Sequence, residues 1–227
     1  MTDVPPSARS DARLAVWLGF ILLFVALQYE SRASAPPPHD TLYRWETFAA
    51  GLVQFLVTMA IVLGVAWNGP VREFLALRRP PSVAVAGGLA VLVFVGIVLI
   101  AGLLEPVLHA SDEQGFVPKR WEPAHAAPFA ANFVLAAALF PIAEELLFRG
   151  AGFAVLSRFG RVAAIIAVGI LFGLAHGLVN ALPILAAFGI ALAWLRAHTK
   201  SVLPCIALHS FFNAFALLGS VLTWSRL

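Results

Sequence analysis

Long apolar stretches separated by short clusters of charge and proline set the layout of this chain. A helix needs about 20 apolar residues to cross a ~30 Å hydrocarbon layer. Runs of that kind span residues 14–29, 47–67, 82–104, 126–148, 162–179, 182–195 and 202–224, the sixth being the shortest. The pattern predicts an all-α fold, a polytopic integral membrane helical bundle of about seven transmembrane helices. The connections at 30–46 and 105–123 are rich in proline and acids and read as surface loops.

Composition agrees. Hydrophobic residues make up 61% of the 227 positions and charged ones 12%, against roughly 25% charged in soluble domains. The net charge of +3 does not point to nucleic acid, because the basic residues come singly or in pairs between apolar runs, as loop charges that orient membrane proteins do. With the N-terminus inside, ten Lys and Arg fall on the inner side and five on the outer, which favours a cytoplasmic N-terminus. The first span could be a cleaved signal peptide ending at Ala33-Ser34-Ala35, but Pro36 follows directly and favours a retained anchor. Only Lys119 and Lys200 are lysines among abundant Arg, Ala and Gly, a composition expected of a bacterial plasma-membrane protein. Cys205 is the single cysteine, so neither an internal disulfide nor a cysteine-based zinc cage is available.

Ionisable groups at bilayer depth persist where they pair, line a water-filled cavity or do chemistry. Glu144 and Glu145 point about 100° apart on a helix, so they serve different roles. Glu145 and Arg149 have the four-residue spacing of an ion pair, which leaves Glu144 free to face another helix. Pro141, one turn earlier, has no amide proton for the carbonyl of Ala137 and marks a kink. A competing reading makes Glu144, Glu145 and Arg149 a cluster at the membrane surface. On the fifth span Phe172, His176 and Asn180 share a face, and on the seventh Cys205, His209 and Asn213 do. If the chain turns at Gly160, Glu144 and His176 are each sixteen residues from it, or about 24 Å along continuous helices, so they can face each other.

These residues fall into three ordered motifs: Glu144-Glu145-Leu146-Leu147-Phe148-Arg149, Phe172-Gly173-Leu174-Ala175-His176, and His209-Ser210-Phe211-Phe212-Asn213. The chain thereby resembles the intramembrane glutamic endopeptidases of the CPBP family, which include the type II CAAX prenyl proteases and bacteriocin-processing relatives. The likeness covers about residues 126–224. It implies an endopeptidase acting on a membrane-associated protein or peptide, with no metal or other cofactor. Glu144 would activate water, His176 would bind and orient it, and His209 and Asn213 would donate hydrogen bonds to the oxyanion. Glu145, Arg149 and Phe172 would support them, while Cys205 and Asn180 are candidates for lining the cavity.

The expected organisation is a cytoplasmic tail at 1–13, three N-terminal helices with their loops at 14–123, and a catalytic helical core at 124–227. Three alternatives stand beside it. Glu144, His176 and His209 could form a zinc-dependent protease's ligand set, although no His-Glu-x-x-His motif is present. A non-catalytic immunity or scaffold protein would share the motifs, and a proton-coupled carrier would also bury acids and histidines. The sequence names neither substrate nor oligomeric state.

Overall fold

Inside a bilayer every backbone amide and carbonyl must find its partner within the protein, and helices do this segment by segment. The computed structural model describes residues 6–34, 40–67, 69–113 and 121–224, and its described residues contain no strand. Ala35 and Pro36 of the candidate cleavage site lie outside them, as do Lys119, Arg120 and Arg226 from the orientation count.

The bundle is built from α1 (Pro6–Ser34), α2 (Trp45–Ala66), α3 (Val83–Leu108), α4 (Pro123–Phe159), α5 (Arg161–Leu174), α6 (Leu182–Thr199) and α7 (Leu203–Trp224). α1, α2, α3, α4 and α6 contain spans long and apolar enough to cross a membrane, and α5 and α7 provide shorter apolar stretches. The chain is an integral membrane protein by this pattern. Large apolar side chains such as Leu56, Leu99, Leu103, Val107, Phe211 and Phe215 face outward, as a lipid-facing surface requires.

The fifth and sixth expected spans trade places in length. α6 has 18 residues and is not the shortest, whereas α5 has 14 and stops at Leu174. Gly177, in a left-handed conformation (φ 65°), turns the chain before residue 179. His176 therefore lies in the turn at 175–181, and Asn180 is exposed there rather than on a helix face shared with Phe172.

The turn expected at Gly160 is present, with φ 107° between α4 and α5. At the same end of the bundle Arg13 donates to the Trp67 carbonyl (2.9 Å), Arg78 to that of Lys200 (2.8 Å), and Arg158 pairs with Asp11. The opposite end gathers the exit of α1, a single turn at Thr41–Tyr43, the short helix Ala110–Glu113, the start of α4 and the turn at 175–181. Asn132 of α4, almost fully buried, ties that end together by donating to the carbonyls of Leu42, Arg44 and Pro128, each at 3.0 Å.

α5 and α6 approach most closely. A Cβ on Gly169 would lie 2.4 Å from the Ile190 amide nitrogen, and one on Gly189 would lie 2.4 Å from the Gly169 carbonyl oxygen. Gly169 and Gly173 have the Gly-x-x-x-Gly spacing that lets membrane helices pack backbone to backbone. Phe172 sits between them, fully buried.

Candidate active site

The glutamate pair lies where α4 departs from regular α-helical geometry. Residues Leu135–Leu139 and Leu146–Gly152 are π-helical, and Phe140–Glu145 is the α-helical piece between them. Such wide turns often mark functional positions in helices. They also bear on Pro141, which begins the α-helical piece after the first wide turn. Five residues before it, the Ala136 carbonyl accepts from the Nδ2 of Asn213 at 2.9 Å. Proline on α4 and asparagine on α7 are complementary.

Glu145 and Arg149 form the expected pair, 2.8 Å apart with both side chains fully buried. Both side chains are enclosed by protein on every side. Arg149 donates in addition to the Gly189 carbonyl (2.9 Å), which is reachable because glycine presents no side chain there. Its guanidinium lies 4.2 Å from the centre of the Phe172 ring, within cation–π range. Its own carbonyl accepts from Arg196 Nε at 3.2 Å. The arginine thus joins α4, α5 and α6 at one point.

The same Glu145 oxygen, Oε1, lies 2.9 Å from His209 Nδ1. A carboxylate only accepts, so Nδ1 carries the proton and Nε2 is turned elsewhere. Nε2 lies 3.8 Å from Glu144 Oε2, and the Glu144 side chain keeps 26% of its exposure while His209 keeps 3%. The two adjacent acids therefore bracket one imidazole, Glu145 from the buried side and Glu144 from the accessible side.

His176 is oriented by its own backbone. Its Nδ1 lies 2.7 Å from the Phe172 carbonyl, which can only accept, so the proton is on Nδ1 and Nε2 bears a free lone pair. The ring packs edge-on against Phe172 at 4.7 Å between centroids, and His209 packs against the same Phe172 at 5.6 Å. Phe188 of α6 closes over His209 at 5.4 Å. Both Glu144 and His209 are within electrostatic range of His176. The three motifs from α4, α5 with its turn, and α7 thus converge around Phe172.

Cys205 is fully buried and its thiol faces the Leu192 carbonyl at 3.3 Å, the packing of a small hydrophobe. Neither this thiol nor exposed Asn180 contacts the carboxylate–imidazole group through any hydrogen bond. Among the described residues no group of three His, Cys, Asp or Glu side chains is gathered closely enough to hold a metal ion.

Spacing alone did not reveal three contributors. Trp17 of α1 donates from Nε1 to the Leu147 carbonyl at 2.9 Å and packs where a Cβ on Gly152 would be 2.4 Å from its ring. Gly189 supplies a carbonyl to Arg149, and Glu113 reaches the turn of His176. The Gly169/Gly173 spacing signals the α5–α6 contact, but a lone Trp and a Glu in a single helical turn carry no comparable mark.

Residues 126–215 match the family described as type II CAAX prenyl endopeptidase Rce1-like. No curated protein and no solved structure matches the chain. The matched stretch contains Glu144, Phe172, His176 and His209, whose side chains meet in space although they are spread over three helices and a turn, and also Asn213. Through this stretch the chain is similar to the Rce1-like family of type II CAAX prenyl endopeptidases.

Proposed function

We propose that this chain is a glutamate-dependent endopeptidase that hydrolyses a peptide bond of a protein or peptide held at the bilayer. The observation that carries the reading is the division of labour between the two acids. Glu145 is committed to Arg149 and His209, both within hydrogen-bonding distance, whereas Glu144 remains partly exposed next to His209 Nε2.

Glu144 takes a proton from a water whose other contact is the lone pair on His176 Nε2, and the hydroxide adds to the scissile carbonyl carbon. The oxyanion that forms accepts a hydrogen bond from the second amide proton of Asn213 and, when the His209 ring carries both its protons, from Nε2. Glu144 then returns its proton to the departing nitrogen as the C–N bond breaks. Such positioned donors contribute roughly 10²- to 10³-fold each in a dry site, and a positioned base roughly 10²- to 10⁴-fold. No covalent intermediate is required.

The orientation with the N-terminus in the cytoplasm of a bacterial cell is part of the same reading. It is supported by the clustering of Arg13, Arg72, Arg78, Arg79, Arg158, Arg161 and Lys200 at one end of the bundle, against Arg32 and Arg44 at the other. The test of the chemistry is Glu144→Gln. Membranes carrying the parent should accumulate peptide fragments that are missing with the variant, and near-parental cleavage by purified, folded Glu144→Gln would overturn the assignment.

A further inference from the structure

The turn at 175–181 poses a mechanical problem. His176 lies two residues beyond the end of α5, so the helix does not by itself hold the ring, and a loop bearing a reacting group needs outside support. Misplacement by about 1 Å can cost roughly 10²-fold in rate.

The support comes from α1 and from the connection after α3. Glu113, in the short helix after α3, accepts hydrogen bonds from two amides of the turn, Val179 to Oε1 at 2.7 Å and Ala181 to Oε2 at 3.0 Å. Arg32 of α1 donates to the Glu113 carbonyl at 2.7 Å and lies 3.5 Å from its carboxylate. One turn earlier on α1, Gln28 donates to the Ala175 carbonyl at 3.5 Å and Tyr29 to the Leu178 carbonyl at 3.3 Å. Gly177 fits because it has no side chain: a Cβ there would lie 2.9 Å from that of Gln28, and its φ of 65° also favours glycine. Four backbone groups of one short turn are thus taken up by side chains from α1 and the α3–α4 connection.

From this geometry we propose that Glu113, braced by Arg32, is a positioning residue that fixes the turn bearing His176 and so the placement of the imidazole. The inference rests on the reading of His176 as the water-orienting residue. It gives a role to N-terminal elements that lie outside the matched residues 126–215. The carboxyl is only 12% exposed. Burial opposes its ionisation, but the amides of Val179 and Ala181 and the guanidinium of Arg32 outweigh burial and hold it below the usual carboxylate range. The acceptor is thus in the charged form that two amides require.

The experiment has two arms on the full chain in detergent. The first is nitrogen NMR of histidine-labelled protein, with the His176 signals assigned by comparison with His176→Gln. In the parent, His176 should show one tautomer with the proton on Nδ1; Glu113→Ala should average or broaden these signals and leave those of His209 unchanged. The second arm measures cleavage of whichever membrane peptide is spared by Glu144→Gln. Glu113→Ala should lower kcat per folded protein roughly 10- to 100-fold with KM near parental, and Glu113→Gln, which keeps one acceptor oxygen, should fall between. Unaltered His176 signals, or a kcat within about twofold of the parent, would overturn the proposal. If Glu113→Ala does not fold, Glu113→Gln is judged by the same criteria. Full activity in Glu144→Gln would instead refute the proposed chemistry, and the NMR arm would still decide whether Glu113 positions the ring.

Discussion

The Glu145 carboxylate reaches His209 Nδ1 at 2.9 Å across 64 residues of sequence, so the second acid of the pair orients the histidine that the first acid faces. This contact makes the two neighbouring glutamates unequal. One balances Arg149 and holds His209; the other remains available to water.

Their substitutions should separate accordingly. Removing one partner of a buried ion pair typically costs about 3 to 5 kcal/mol because the other charge is stranded. Glu145→Gln and Arg149→Ala should therefore unfold at clearly lower temperature than the parent in detergent. Glu144→Gln should unfold like the parent, since its side chain is partly exposed and His209, which it faces at 3.8 Å, keeps its closer contact with Glu145. Equal stability in Arg149→Ala and the parent would refute the buried pair.

A second expectation concerns Pro141 and Asn213. Asn213→Ala leaves the Ala136 carbonyl without its side-chain donor, which should cost roughly 1 to 3 kcal/mol and also remove an oxyanion donor. Adding Pro141→Ala restores a backbone amide that can serve that carbonyl. The double variant should regain stability but not activity. Recovery of both would limit Asn213 to a packing role.

Much of this arrangement was legible in the sequence because membrane burial makes polar residues conspicuous. Glu144, Arg149, His176 and His209 stand out against apolar runs, and four-residue spacing correctly paired Glu145 with Arg149. The errors arose where spacing assumes a regular helix. The π-helical stretches on either side of Phe140–Glu145 break the four-residue count by which Pro141 is related to Ala137, and Gly177 ends α5 before residue 179, which takes Asn180 off the face it is expected to share. The Glu145–His209 contact was hidden for another reason: α-helical periodicity relates residues on one helix and says nothing of which face meets a neighbour.

Close packing of α5 on α6 provides a third test. Gly189→Ala would set a methyl group 2.4 Å from the Gly169 carbonyl oxygen, a backbone clash that can be relieved only by separating the helices. Overpacking of this kind typically costs about 1 to 3 kcal/mol, and the shift would also draw the Gly189 carbonyl away from Arg149. The variant should be less stable and less active. Gly102→Ala in α3, where nothing lies within 4 Å of the added carbon, should be neutral or slightly stabilising. Equal thermal unfolding of both variants would show that the glycine contact does not hold the site together.

The last test asks whether metal or thiol chemistry takes part. The proposed steps use only Glu144, the imidazoles of His176 and His209, and Asn213. Activity should therefore survive exhaustive chelation and purification in metal-free buffer. Zinc ligation would instead give a stoichiometric ion and a chelator-sensitive rate. Cys205 is the built-in control for thiol reagents. Its complete burial should make it slow to alkylate in the folded protein, and Cys205→Ala should stay active because the thiol's contact is with a backbone carbonyl. A bulky adduct that forms only after partial unfolding would inactivate the parent and spare Cys205→Ala. One equivalent of zinc that tracks with activity, or a folded but inactive Cys205→Ala, would overturn the metal-free glutamate mechanism.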